Sequence, residues 1–559
     1  MNIKRLFLLL VAGAMLMSAE SSFEQAVDRY FADRFKFLPS EATSEGFHQY
    51  DSQLEDLSAK AIAARAEMDR KYLSEFGRMQ ASADRDLVMS KIQSDLLSID
   101  GIRSWENNPD VYSSGITESV FGLISRNFAP QDQRLRSVIA RERQMPRVLQ
   151  NARENLKNPP GIYTQIAIEQ LPGIIAFFRS DVPAAFSGVH DGALLSEFHQ
   201  KNNAVIGALQ GYQQFLQSDL LPKSKGDFRI GAEKYRKKLL YDEMVDIPLD
   251  RLLRIGYEDL HKNQRQLLEL SKRMDASKSV EEIAARMERD HPPPDRLLET
   301  FRNTLGGLIE FIHQKHIITI PSQVRPILEE TPPFMRALTT ASMDTPGPYE
   351  KVATEAYFNV TLPEAQWSRK ETEEFMTAFN RGTIVSTAIH EAYPGHYTQL
   401  LWFQKVPSKV RKLVQANSNV EGWAHYTEQM MLDEGYGNDD PELRFGQLLD
   451  ALLRDCRYIV GIEMHTGKMT YDQGIDFFIK NGYMSRAYAE RETKRGTSDP
   501  TYLVYTLGKL QILKLRNDYR NKLGEKFNLE EFHNEFVSRG GIPIKIIRQE
   551  MLGNESPAL

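Results

Sequence analysis

One block limits how the middle of this chain can fold. A helical stretch from about Thr383, with Ile384, Val385, Ala388 and Ile389 at helical spacing, runs into His390-Glu391-Ala392-Tyr393-Pro394-Gly395-His396. Two histidines four residues apart return to nearly the same face of a helix. Six residues instead turn roughly 240°, which aims the second ring away from the first. Pro394 lacks the N–H that would bond the carbonyl of His390, and Gly395 can take backbone angles closed to other residues. The spacing therefore predicts a kinked helix, in which two extra residues are absorbed in a bulge and His396 comes back to the face of His390.

On that geometry the residue types define a chemistry. Neutral imidazoles suit Zn2+, and a catalytic zinc site takes three protein ligands while keeping one position open for water. Glu391, next to the first histidine but on another helical face, can reach that water and take its proton. A third ligand is expected from a neighbouring helix, and the segment Asn419-Val420-Glu421-Gly422-Trp423-Ala424-His425-Tyr426-Thr427-Glu428 offers one. Glu421, His425 and Glu428 share one helical face. Glu421 lies twenty-five residues past His396, enough for a loop and a returning helix. Glu421 is the expected ligand, with His425 and Glu428 orienting ligands or contacting substrate. The competing reading is a structural turn between two histidines, with Glu421 as a solvated helix charge. The donor set suits one Zn2+ and also admits Co2+ or Mn2+.

The rest of the chain frames that block. Apolar residues recur at helical spacing over 23–36, 56–76, 131–157, 191–218, 249–274 and 279–288. Strand-like runs are few, Ile317–Ile320 and Ala356–Thr361. The pattern is that of a mainly α protein with one small sheet. Ser368 and Glu371 fit a capping box that starts a further helix. Proline clusters at 291–294, 321–333 and 346–348 read as loops within one large domain over 20–559. They also fit a boundary near 320, between an N-terminal helical half and a catalytic half.

With one cysteine, the chain has neither an intramolecular disulfide nor a cysteine-based zinc site. Cys456 lies in a helical stretch and reads as a small buried hydrophobe. A net charge of −6, with Lys and Arg spread along the chain, leaves no concentrated basic surface for nucleic acid. Residues 1–19 carry Lys4 and Arg5, the apolar run Leu6–Met17, and small Ser18 and Ala19, the pattern of a secretory signal peptide. The run is too short to span a bilayer comfortably. The expectation is an exported protein, periplasmic or secreted, with no stable membrane span after cleavage.

The block His390–His396 with Gln399 following, together with Glu421-Gly422-Trp423-Ala424-His425-Tyr426, resembles the bacterial DUF885 family, which is placed with the gluzincin-type metallopeptidases. The resemblance covers most of the chain, with its sharpest motifs between about 340 and 510. It implies a large helical metallopeptidase fold with a cleft and a small β-sheet edging the zinc site. It also implies His390, His396 and Glu421 as zinc ligands and Glu391 as the base. The family commonly carries Pro-Gly-Gln, then a Tyr three residues before a Gly. Tyr505 and Gly508 match that pair, whereas Asp499-Pro500-Thr501 departs from the first block. A Tyr hydroxyl aimed at the scissile carbonyl would stabilise the developing oxyanion. Tyr505 is the first choice and Tyr502 the second, with a buried tyrosine stripe as the alternative for either. Arg495 would pair with a substrate carboxylate, or form a structural salt bridge. His465 matches a histidine the family often carries, but Gly461 stands where the family often has Asp, so His465 is placed behind the ligands at most. In this type of peptidase an edge strand pairs with the extended substrate, which assigns that task to the strand around Asn359.

These residues give the expectation of a zinc-dependent hydrolase cutting peptides in the cell envelope. Two alternatives remain open: a zinc amidase acting on non-peptide amides, and a zinc-stabilised envelope binding protein without catalysis. Glu391 argues against the second, because a ligand cage kept only for structure has no use for that carboxylate.

Overall fold

The computed structural model describes residues 22–332, 336, 340–364, 366–553 and 556–559. The expected signal segment 1–19 lies outside the described residues. Among the described residues, no helix is long and apolar enough to cross a membrane. The described residues are mainly helical, with one three-stranded sheet among them.

The chain divides into two compact units. One takes the chain up to Gly226 with Tyr349–Ala353 and Pro407–Val414, and the other takes Asp227–Pro348, Thr354–Val406 and Gln415–Leu559. The position near 320 falls inside the second unit. Pro292, Pro293, Pro294 and Pro321 turn the chain between elements of the second unit.

The first unit is built of helices, including 22–37, Ala59–Phe76, Ala83–Leu96 and Gly192–Phe215. Tyr30 meets Tyr72 and Phe76 edge to face. Beside them Arg34 is buried in a fork to Glu41, at 2.8 and 2.9 Å, and pairs with Asp95. The helix predicted over 131–157 is two helices, Gln131–Glu142 and Met145–Asn155, because Pro146 can start a helix but cannot continue one.

In the second unit the predicted helix over 249–274 forms as α1 (Leu249–Met274). After α2 (Leu297–Lys315), the strand expected at Ile317–Ile320 does not form. That stretch is extended chain whose polar groups go to side chains: the Ile317 carbonyl accepts from His533 at 2.7 Å, and the Thr319 N–H donates to Asn534 at 3.0 Å. The sheet comprises β1 (Ile327–Glu330), β2 (Ala341–Asp344) and β3 (Tyr357–Val360), in the order β1-β3-β2. β1 runs parallel to β3 and β2 antiparallel. The Thr361 N–H donates to the Thr340 carbonyl at 2.9 Å, so by alternation the N–H of Met343 points away from β3.

The capping box of Ser368 and Glu371 forms and starts the helix Arg369–Met376. Then come α3 (Arg381–Glu391), α4 (His396–Phe403), α5 (Asn417–Asp433), α6 (Pro441–His465), α7 (Arg486–Ser498) and α8 (Val504–Leu523). Cys456 is buried in the core that α1 and α6 share, as expected. Gly256 of α1 lies against the Tyr458 ring of α6, where a Cβ would come within 2.5 Å of it. α5 and α8 approach as closely, with Gly422 against Gly508.

Candidate metal centre

The expected kink is a full break: α3 ends at Glu391 and α4 begins at His396. Hydrogen bonds still bridge the gap, but they reach further back. Tyr393 N–H donates to Ala388, five residues back, and Gly395 to Ile389 and Thr398 to Ala392, six back instead of four. The two extra residues are absorbed there. Gly395 is required for packing, since a Cβ on it would lie 1.9 Å from the His390 carbonyl oxygen. From α5, the Trp423 indole donates to the Pro394 carbonyl at 2.9 Å and clamps the break.

The result brings His390, His396 and Glu421 together. Their ligand atoms all lie within 4.8 Å of one another, and the group is the one of its kind among the described residues. Nε2 of His390 and Nε2 of His396 are each 3.5 Å from the same oxygen, Oε2 of Glu421. Two donors about 2.1 Å from one ion at a tetrahedral angle stand roughly 3.4 Å apart. The donor types and these separations fit a zinc-type ion. Burial favours a neutral His390, yet the carboxylates of Glu421 and Glu428 outweigh it and hold the imidazole up at about 10. Burial likewise opposes the charge on Glu421, and the two imidazoles hold its carboxyl well below the usual range.

Glu428 organises the layer behind. Its Oε1 accepts from Nδ1 of His390 at 2.6 Å and forms an ion pair with Arg454 of α6 at 3.0 Å, and its Oε2 accepts from Nδ1 of His425 at 3.1 Å. With Nδ1 committed to Glu428, Nε2 is the nitrogen that would yield its proton and turn its lone pair to a metal. Although Glu428 is buried, Arg454 and the histidines keep its carboxyl well below the ordinary value. Burial pushes His425 down to about 3, so this imidazole is neutral.

Glu391 closes α3, and its Oε2 accepts the outward N–H of Met343 at 3.2 Å, which ties it to the outer strand of the sheet. Tyr505 lies near the third ligand. Burial and the Glu421 carboxylate raise its phenol, while the charges of Arg457 and Arg495 pull it down. The guanidinium groups of Arg454 and Arg457 lie 5.7 and 5.2 Å from the centre of the Tyr505 ring.

The family described as bacterial protein of unknown function, DUF885, matches residues 39–551. The chain belongs to the DUF885 family. No curated protein matches it. Among solved structures, this DUF885 chain is similar to a candidate lipoprotein of unknown function from Shewanella oneidensis, at 28% identity and a TM-score of 0.80, over 95% of this chain and 99% of that one. A candidate lipoprotein from Colwellia psychrerythraea, 18% identical, shares the fold with a TM-score of 0.75 over 95% of this chain and 99% of its own.

Three expected site residues of this DUF885 protein fall elsewhere. Tyr502 is 1% exposed, with its ring against Gly461 and its hydroxyl against Gly496, so it is a core residue. His465 is fully buried, bonded through Nε2 to the Gly496 carbonyl at 2.7 Å and packed on Phe228 and Tyr235. Asn359 lies in the central strand, paired with Glu329 on one side and Ser342 on the other, so its backbone has no edge to offer a substrate. The edge nearest Glu391 is β2 instead. Sequence reasoning also missed Trp423, Arg454 and the Met343 N–H. Trp423 had a signal, its place between Glu421 and His425, whereas Arg454 looks like any helical arginine.

Proposed function

We propose that this protein is an exported, zinc-dependent peptidase that hydrolyses peptides in the cell envelope. One observation carries the reading: two imidazole nitrogens converge on one Glu421 oxygen, with the Glu391 carboxylate held at a strand edge beside the first of them. Export is supported by the signal-like pattern of residues 1–19 and by the likeness to candidate lipoproteins.

His390, His396 and Glu421 would hold the ion, which when bound supplies Lewis acidity to a scissile carbonyl and acidifies the attacking water. Glu391 takes a proton from that water and delivers it to the leaving amine. Water thus adds across the broken C–N bond, hydroxyl to carbon and hydrogen to nitrogen. The Tyr505 hydroxyl donates to the carbonyl oxygen as negative charge collects there. Glu428 fixes the tautomer and the plane of His390. An extended substrate adds as a strand along the outer edge of β2, which reads main chain before side chains.

The test is elemental analysis of the purified protein, followed by mass spectrometry of a mixed peptide pool with and without a chelator. Stoichiometric zinc and chelator-sensitive cleavage are expected. A metal-free chain that leaves every peptide intact after zinc is supplied would sink the reading.

A further inference from the structure

Arg454 and Arg457 stand three residues apart on α6, so they share one face of that helix. Their guanidinium carbons lie 5.7 and 5.2 Å from the centre of the Tyr505 ring on α8, within reach of a cation–π contact. Each cation is itself pinned by a buried carboxylate from a different helix. Arg457 forks onto Glu492 of α7 at 2.7 and 3.0 Å. Arg454 sets Nη2 3.0 Å from Oε1 of Glu428 on α5, while its Nη1 donates to the Asp450 carbonyl at 3.0 Å. The Asp450 carboxylate accepts from Ser386 of α3 at 2.6 Å. Arg495, by contrast, meets Asp499 in an exposed pair at 3.3 Å, where solvent screens both charges.

This arrangement does more than neutralise buried acids. A lysine could supply the charge that Glu428 needs, but only a planar fork meets Glu428, Asp450 and an aromatic ring together. Arg454 also shares one oxygen, Oε1 of Glu428, with Nδ1 of His390. The ring and the first histidine of the metal group are thus held through a common atom. The close approach of Gly422 and Gly508 fixes where the backbone of α8 runs past α5. It leaves the tyrosine ring free to turn about its side-chain bonds, and the two cations remove that freedom.

We propose that Arg454 and Arg457 are positioning residues, which hold the Tyr505 ring so that its hydroxyl serves the scissile carbonyl, with Arg454 coupling that ring to the carboxylate behind His390. This rests on the peptidase reading above.

The test uses the full protein at saturating zinc and a peptide that it cleaves from the mixed pool. Arg454→Lys and Arg457→Lys keep the charges and lose the planar groups. Each should lower kcat about 10- to 30-fold, the range of a desolvated cation–π contact, with KM little changed. Tyr505→Phe alone should lower kcat by about 10²-fold or more. In that background neither lysine substitution should lower it further, because the hydroxyl they position is gone. An arginine that served the fold alone would lower kcat by the same factor whether position 505 is Tyr or Phe. If a lysine variant does not fold, Glu492→Gln, which keeps the shape of the Arg457 anchor and removes its charge, is read in the same two backgrounds with the same expectation. Equal factors in the two backgrounds, or an unchanged kcat in the Tyr505 background, would overturn the positioning role and leave the peptidase reading intact. No cleavage of any peptide by the zinc-loaded wild type would overturn both.

Discussion

Gly422 and Gly508 touch backbone to backbone where α5 crosses α8. A Cβ on Gly508 would lie 1.7 Å from the Ser418 carbonyl oxygen, and one on Gly422 would lie 2.4 Å from the Gly508 Cα. Glu421 directly precedes the first glycine, and Tyr505 sits one helical turn before the second. The crossing therefore sets the third ligand and the phenol at the same level. Gly508→Ala should force the helices apart, cost roughly 1–3 kcal/mol or more, and lower both zinc occupancy and kcat. Urea unfolding and zinc titration check this; a variant with wild-type stability and occupancy contradicts it.

Glu428 bears two consequences at once. Glu428→Gln should weaken zinc binding about 10- to 100-fold by loosening His390. It should also destabilise the fold by about 3 kcal/mol, because Arg454 is left as a buried cation with only Asp450 at 3.6 Å. Chelator competition reads the first effect and denaturant unfolding the second. Loss of stability with unchanged zinc affinity would show that His390 needs no carboxylate behind it.

Glu391→Gln separates binding from chemistry. Zinc content should stay at the wild-type level while kcat falls by about 10²–10⁴-fold. Glu421→Ala, by contrast, should lose metal and activity together. Dialysis against a chelator should mimic Glu421→Ala, and added zinc should reverse the dialysis but not the substitution. A Glu391→Gln variant that turns over normally removes that residue from the reaction.

In the first unit, Glu142 is buried with neither carboxylate oxygen bonded among the described residues, and burial pushes its carboxyl up to about 9. The folded form keeps the proton to a higher pH than the unfolded chain, whose carboxyl titrates near ~4.3. Stability from this group is thus complete below that pH, declines by roughly 1 kcal/mol per unit as pH rises, and levels off above about 9. Glu142→Gln should flatten the decline and gain most at alkaline pH. Urea midpoints at acidic, neutral and alkaline pH measure it, and parallel profiles for the two proteins would rule it out.

Local rules carried part of this structure. The capping box at Ser368 and the helix over 249–274 need only neighbouring residues to be read, and both form. The His390–His396 spacing showed that the helix must yield, because proline and glycine stand where its ladder should continue. It did not show the form of the break, which depends on hydrogen bonds six residues long and on Trp423 from another helix. Strand order was hidden for a similar reason. Tyr357–Val360 looks like a strand, but its neighbours Ile327–Glu330 and Ala341–Asp344 have little β character of their own. Tyr502 and Tyr505 are alike in sequence and were separated only by tertiary packing, through Gly461 and Gly496. The division into units interleaves distant segments, a pattern that no composition shift marks.

The triple attachment of Glu428 to His390, His425 and Arg454 also constrains how this architecture can drift. A descendant that gave up its ion could let His396 vary without harm to its interior. It could not shed Glu428 alone, because the arginine it neutralises would then be stranded. Abandonment of the metal would therefore leave a paired scar, with positions 428 and 454 changing together or both enduring long after the histidines had gone.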